Sequence, residues 1–355
     1  MGRKGFIFTF ISILFVSVIL IAFFIQAANT TRAKTEEARV KVETVNTFLK
    51  SIENIYLNSA MKAASGRAFD AMTECIIIQS DEPSKKNKLF EEPNTVFTSI
   101  IINGDLTTAT KNKDKKSNKC DNVIHNAMSK NGIYDPNDPE KLVIISNTLK
   151  DLIKAADSIG LILDFNPDPN KNLPDSYSIT MTQTDPWIVN VSMPLSFNLK
   201  TADSTVEWQI DNFRVNSTIS IIGLKDPLYA ASDGERIPIS KWNGAATDSD
   251  LQKIIDNSMF YDPIANGNSL TGNLPPSFIE RFNQDRYNNG QLKCNNIDGY
   301  CGIETLRNPG TGKKIWVDYL QNVDPIPVVE DVCLNTAYAV RIDQPRRTAY
   351  NCQII

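Results

Sequence analysis

Two hydrophobic periods divide the chain, and a long apolar run precedes both. From Phe6 to Ile25 apolar residues fall on every side of a helix. Only Thr9, Ser12 and Ser17 interrupt them, and their hydroxyls can bond back to a helical backbone. The run is roughly 20 residues, the length of a helix that crosses a hydrocarbon core. A secretory signal needs only about 7–15 apolar residues before its small-residue cleavage site. Arg3 and Lys4 on the short side predict a cytoplasmic N-terminus by the positive-inside rule. One span is expected, with everything after about Gln26 outside the cell. No later stretch is comparably long and apolar.

Residues 29–41 are nearly all polar and read as a solvated helical stalk that continues the span. Beyond them, Val42, Val45, Leu49, Ile52, Tyr56, Ser59 and Ala63 are spaced alternately by three and four, a helical stripe that Phe48 and Ile55 widen. The stripe is read as packing on the chain's own domain, a seam with other subunits being the alternative. Residues 80–140 carry turn signals and the lysine cluster "KNKDKKSNKC", a solvated loop tip. Short helices are expected over 94–102 and 121–130. A longer one is expected from Pro139 to about Ser158, with Leu142, Ile145, Leu149, Leu152 and Ile153 on one side.

The period then changes to two. Tyr177, Ile179 and Met181 alternate with polar residues, and "TDPW" predicts a turn. From Trp187 through Val189, Val191, Met193, Leu195 and Phe197 to Leu199 the alternation is strict, which predicts a strand with one buried face. Val206, Trp208 and Ile210 are followed by Phe213, Val215, Ile219 and Ile221, so the parity flips near Asp211–Asn212, as a bulge or a second turn would make it do. The last third is rich in Asn, Gly, Pro and Asp. Helices are expected over 249–256 and 276–284, and a hairpin about "DQPR" near the end. The sum is α+β: a long N-terminal transmembrane-plus-stalk helix, an antiparallel β-sheet ectodomain, and a loop-rich, disulfide-tied C-terminal part. The expected segments are a basic leader (1–5), a membrane or assembly helix (6–26), a stalk and packing helix (27–79), an α+β ectodomain (80–230) and a C-terminal region (231–355).

Composition supports a folded body: 41% of the 355 residues are hydrophobic and 22% charged. The net charge of −4 argues against nucleic acid as a partner. The six cysteines are an even number, as an extracellular location would favour, but they admit many pairings. Cys294–Cys301, close neighbours around a turn-rich stretch, are the first expected pair. Cys333–Cys352 and Cys75–Cys120 are what remain in sequence order. Zinc would need tighter cysteine spacing. Asn-x-Ser/Thr triplets make Asn29, Asn190 and Asn216 candidate glycosylation sites, the last two on the polar phase of predicted strands.

Catalytic constellations are poor. His125 is the one histidine, so any Ser-His-Asp or Cys-His site would depend on it, and it falls in a polar helix that should expose it. "NPGTGKK" lacks the spacing of a phosphate loop. Asp164, Asn166, Asp168 and Asn170 alternate like the first ligands of a calcium loop, but Pro169 stands where that loop needs glycine and Asp175 where it needs a bidentate glutamate. No catalytic, cofactor or metal residue is assigned.

Arg3-Lys4-Gly5 followed by Phe6 to Phe24 resembles the type III signal of type IV pilin-like proteins. That resemblance implies cleavage between Gly5 and Phe6 by a prepilin-type peptidase, with the helix retained. Bacterial members carry glutamate at the fifth mature position. That place here is Phe10, and archaeal members often lack the glutamate too. "SGRAFDAM", "TDPWIVNVSMPLSFNL" with the strand after it, and "GIETL" followed by "WVDYL" resemble archaeal pilin-like surface proteins. The resemblance implies a structural or adhesive subunit, whose size suits a minor or tip position as well as a main one. Its partners would be membrane lipid, identical or related subunits through the N-terminal helix, and an external surface or glycan. The alternatives are a permanently anchored extracellular binding protein and a surface hydrolase.

Overall fold

The computed structural model describes residues 3–80, 90–106, 117–130, 139–166, 177–233, 235–244, 248–263, 275–283, 302–307, 315–317, 331–333, 340–342 and 344–351. Helix α1 (Arg3–Ser51) passes through one π-helical turn, Ile52–Tyr56, into α2 (Leu57–Ser80). The described side chains of α1 are exposed up to Val40, and Val45, Leu49 and Ile52 are the first to enter the core. Of the predicted stripe, Val42 is exposed, Val45, Leu49 and Ile52 are buried, and the pattern is then lost. The π turn adds one residue to the helical cycle, which rotates the buried face by about 100°. Burial therefore resumes at Leu57, Met61, Ala64 and Ala68, while Ile55, Tyr56, Ser59 and Ala63 are exposed.

Helix α3 (Pro93–Asn103) opens on a proline and closes at Gly104, whose φ of 76° sets a left-handed cap. Helix α4 (Ser117–Met128) lies along α2 and is pinned at two points. Cys75 and Cys120 form a disulfide, with Cα atoms 5.1 Å apart. At the other end Arg67 donates to the carbonyls of Ala127 and Ser129, where a cation also meets the negative end of the helix dipole. The helix expected from Pro139 is broken: a 3-10 turn (Pro139–Lys141) precedes α5 (Ile145–Ser158). Leu142, Ile145, Leu149 and Leu152 are buried on the side expected of them.

Strand β1 (Leu161–Asn166) follows at once, through Gly160 at φ 75°. Its pattern is clean, with Leu161, Leu163 and Phe165 inward and Ile162, Asp164 and Asn166 outward. Asp164 and Asn166 therefore share a face because they lie on a strand; Asp168, Asn170 and Asp175 lie outside the described residues. Strands β2 (Thr180–Asp185), β3 (Ile188–Thr201) and β4 (Glu207–Ser220) complete an antiparallel sheet. Central β3 pairs with β4 on one side and with β2 and β1, end to end, on the other. Its inward residues from Val189 to Leu199 are buried. The register slips between Leu195 and Phe197, opposite Asn212 at φ 56°, so the parity change is a bulge. α2 packs beside β4 and α5 beside β1. At the outer edge of β4 the Asn216 N–H reaches Asn58 Oδ1 of α2 at 3.2 Å.

The C-terminal part adds α6 (Pro227–Asp233) and α7 (Asp248–Asp256), the latter close to its predicted bounds. The helix expected over 276–284 is a single 3-10 turn, Glu280–Phe282. Ser277 and Glu280 cap it reciprocally: Glu280 N–H donates to Ser277 Oγ, and Ser277 N–H to Glu280 Oε2. It stops at Asn283, which is extended and bridges to Phe90. Strands β5 (Leu306–Arg307), β6 (Ile315–Val317), β7 (Asp331–Cys333) and β8 (Val340–Ile342) form a small sheet in the order β5-β6-β8-β7, with β6 and β8 parallel. The "DQPR" hairpin is also corrected: β8 leads into helix α8 (Gln344–Tyr350). Pro345 fits the first turn of a helix, where its missing N–H has no intrahelical partner to lose.

The architecture is α+β with an antiparallel four-stranded sheet, and one core cluster runs from Val45 to Tyr350. Among the described residues no helix is long and apolar enough to cross a membrane. The run expected to do so lies in α1, with side chains described only from Phe15 onward.

Candidate functional site

From Phe15 to Ile25 the large apolar side chains of α1 are 50–68% exposed. Val18 to Ile21 and Phe23 to Ile25 are consecutive, so at about 100° per residue they cover the whole circumference. A helix apolar all round is one that water does not solvate well; such helices occur buried in protein or in lipid.

The helix enters the head at a charged latch. Lys41 Nζ lies 2.6 Å from Asp203 Oδ2 and 2.9 Å from Glu37 Oε1. Asp203 stands in the β3–β4 hairpin, where Thr205 donates to it through its N–H (3.2 Å) and its hydroxyl (2.7 Å). The Lys41 ammonium and these donors hold the Asp203 carboxyl well below the usual range, and Asp203 in turn raises Lys41. Both groups face solvent, so the latch is screened by salt. Beside it lies a shallow cavity of about 320 Å³ between Val40, Thr44, Ile159, Leu161 and Ala202. A second, of about 360 Å³, continues along the helix past Thr47 and Phe48. Their apolar lining offers shape to a partner, and Lys41 and Asp203 at the rim already satisfy one another.

Charges elsewhere in the head serve as braces. Glu74 on α2 accepts from Lys225 (2.6 Å) and from Arg236 through two nitrogens. Burial alone would raise this carboxyl, but the two cations outweigh it and leave Glu74 below its usual value. Asp70, one turn away, is raised by burial. Asp226 caps α6 through the N–H groups of Leu228 and Tyr229 and takes Arg281 at 2.7 Å, with both side chains wholly buried. Arg346 of α8 grips Glu304 at 2.7 Å, Tyr350 donates to the same carboxylate, and Tyr261 and Tyr350 hydroxyls meet at 2.7 Å. Burial raises both phenols well above their ordinary value. Asp226, Arg281, Glu304 and Arg346 are each answered by a neighbour, which is the requirement for keeping a charge out of water.

The residues singled out from sequence are scattered through the molecule. Gly5 and Phe6 lie on the α1 backbone. Asn29 is exposed on α1, and Asn190 and Asn216 lie on the outer face of the sheet. The Cys75–Cys120 pair is joined, Cys333 is on the β7 backbone, and Cys294, Cys301 and Cys352 lie outside the described residues. His125 is half-buried on α4, where the sequence led us to expect exposure. Among the described residues no group of His, Cys, Asp or Glu is placed to hold a metal. The Lys41–Asp203 contact and the buried ion pairs carried no sequence signal, because each joins residues far apart in the chain and none forms a motif. No protein-family profile, curated protein or solved structure significantly matches the chain.

Proposed function

We propose that the protein is a pilin-like surface subunit: a structural or adhesive head carried outside the cell on an apolar helix that first holds it in the membrane and then packs among like helices. One observation carries the reading. A continuous helix leaves the core at Val45 and extends to an apolar segment, Phe15–Ile25, exposed on every side. Burying such side chains is worth about 25 cal/mol per Å² of apolar surface, so lipid or neighbouring helices are strongly preferred to water. The polar stalk from residue 29 to Lys41 keeps that segment apart from the head. The Cys75–Cys120 disulfide accords with an oxidising location.

Cleavage between Gly5 and Phe6 would remove Arg3 and Lys4, the charges that oppose movement of the helix out of the bilayer. N-terminal sequencing of the protein from its native cells tests this: a mature chain starting at Phe6 is expected, and Gly5→Leu should abolish that product. A chain that still begins at Met1 or Gly2 would refute assembly by processing and favour a permanently anchored binding protein.

A further inference from the structure

We infer that Asn216 carries an N-linked glycan and that Asn190, its interlocked neighbour, does not; the inference rests on the surface location proposed above. The two sequons, Asn190-Val191-Ser192 and Asn216-Ser217-Thr218, lie on adjacent antiparallel strands in a reciprocal register. Asn190 stands opposite Thr218, the hydroxyl residue of the other sequon, and Asn216 stands opposite Ser192. Val191 and Ser217, the middle residues, are buried, so both asparagines belong to the outer face. β2 extends the pattern: Thr180 pairs with Ser192, and Thr182 with Asn190. The result is an uncharged grid of two rows, Thr180–Ser192–Asn216 and Thr182–Asn190–Thr218. Neighbours within a row are about 4.8 Å apart, and the rows are separated by about 6.8 Å.

Asn190 and Asn216 are diagonal on this grid, roughly 7–8 Å apart. Two branched sugars rooted that close would contend for the same space. The positions differ in how well they could accept one. Asn190 is on the central strand between β2 and β4, is half-buried, and donates through Nδ2 to Thr184 Oγ1 at 3.4 Å. Asn216 is on β4, the outer strand of the sheet, and is exposed; its Nδ2 also donates at 3.4 Å, but to the Arg214 carbonyl of its own strand and not across to a neighbour. α2 borders that edge through Asn58, which takes the Asn216 N–H, so a sugar rooted there projects from the exposed outer face of the sheet, with hydroxyl and amide groups beside it to bond.

The donor is a lipid-phosphate-linked oligosaccharide. Asn216 Nδ2 forms a bond to C1 of the first sugar, the C1–O bond to phosphate breaks, and the lipid phosphate leaves with that electron pair. Nδ2 loses one proton to the transferase, and nothing is oxidised or reduced.

Glycopeptide mass spectrometry on the protein from its native cells tests the assignment. Sugar mass is expected on Asn216 and absent from Asn190. N216Q and T218A should each abolish it, and N190Q should leave it unchanged. Sugar on Asn190 in the wild-type chain, on both residues, or on neither would overturn the assignment. Protease added to intact cells separates the two ideas. A head that is cleaved while Asn216 is bare refutes the glycan alone; a head that is protected refutes the surface location as well.

Discussion

Leu57 and Tyr56 are neighbours in sequence, and the π turn assigns them opposite fates. A regular helix continuing from Ile52 would bury Tyr56 and expose Leu57; the structure leaves Tyr56 44% exposed and Leu57 at 0%. Truncating a fully buried leucine removes its transfer energy and leaves a cavity, costing about 2–5 kcal/mol. Truncating an exposed residue away from special features shifts stability by only about ±0.5 kcal/mol. With a urea slope of about 2–3 kcal/mol per M, Leu57→Ala should lower the unfolding midpoint by roughly 1–2 M. Tyr56→Ala should move it by a few tenths of a molar unit or less. Urea unfolding of the two variants beside the wild type, followed by tryptophan fluorescence, measures both. Equal losses, or a larger loss from Tyr56→Ala, would refute the phase shift and restore the regular stripe.

Two further outcomes follow from the braces. Replacing Cys75 and Cys120 together by alanine releases a loop with a sequence separation of 45, which in the chain-entropy model costs about 4 kcal/mol; a calorimetric Tm unchanged from that of the oxidised protein would contradict it. Glu74 contributes through a lowered pKa, so its stabilisation is complete above its ordinary value of 4.5 and fades as pH falls below it. The stability gap between wild type and Glu74→Gln should therefore be widest above about pH 5 and narrow on acidification. A gap independent of pH would contradict that account. Asp70 titrates in both proteins, raised by burial in each, and is raised less once the neighbouring Glu74 charge is gone.

The parts legible in sequence are those governed by one-dimensional periodicity. The alternation from Val189 to Leu199 defined the buried face of β3, and the parity change at Asp211–Asn212 marked the bulge. On the helical side, Ile145, Leu149 and Leu152 likewise went inward as their spacing required, with Ile153 half-buried and Leu142 buried ahead of the helix. What periodicity could not show are events that change its phase or cross the chain. The π turn inserts a residue without a proline or glycine to mark it. β1 is short and follows a helix so closely that the alternation of its Asp164 and Asn166 does not read as a strand. Arg281, Arg346, Asp226 and Glu304 are charged residues at 0% exposure, which hydropathy assigns to the surface and only their distant partners bring inside.

The grip of α8 on the interior also sets an order of events in the making of the head. Tyr261, Glu304, Arg346 and Tyr350 close one buried cluster, so the core that begins at Val45 stays incomplete until residue 350 has joined it. The contacts that α8 makes join residues 42 to 89 apart, and loop closure must come before they can stabilise anything. Until then, Tyr261 and Glu304 wait without their partners, and a chain stalled short of Arg346 would present an unfinished interior to its surroundings. α8 acts as the closing clasp of the head, the last of these elements in chain order.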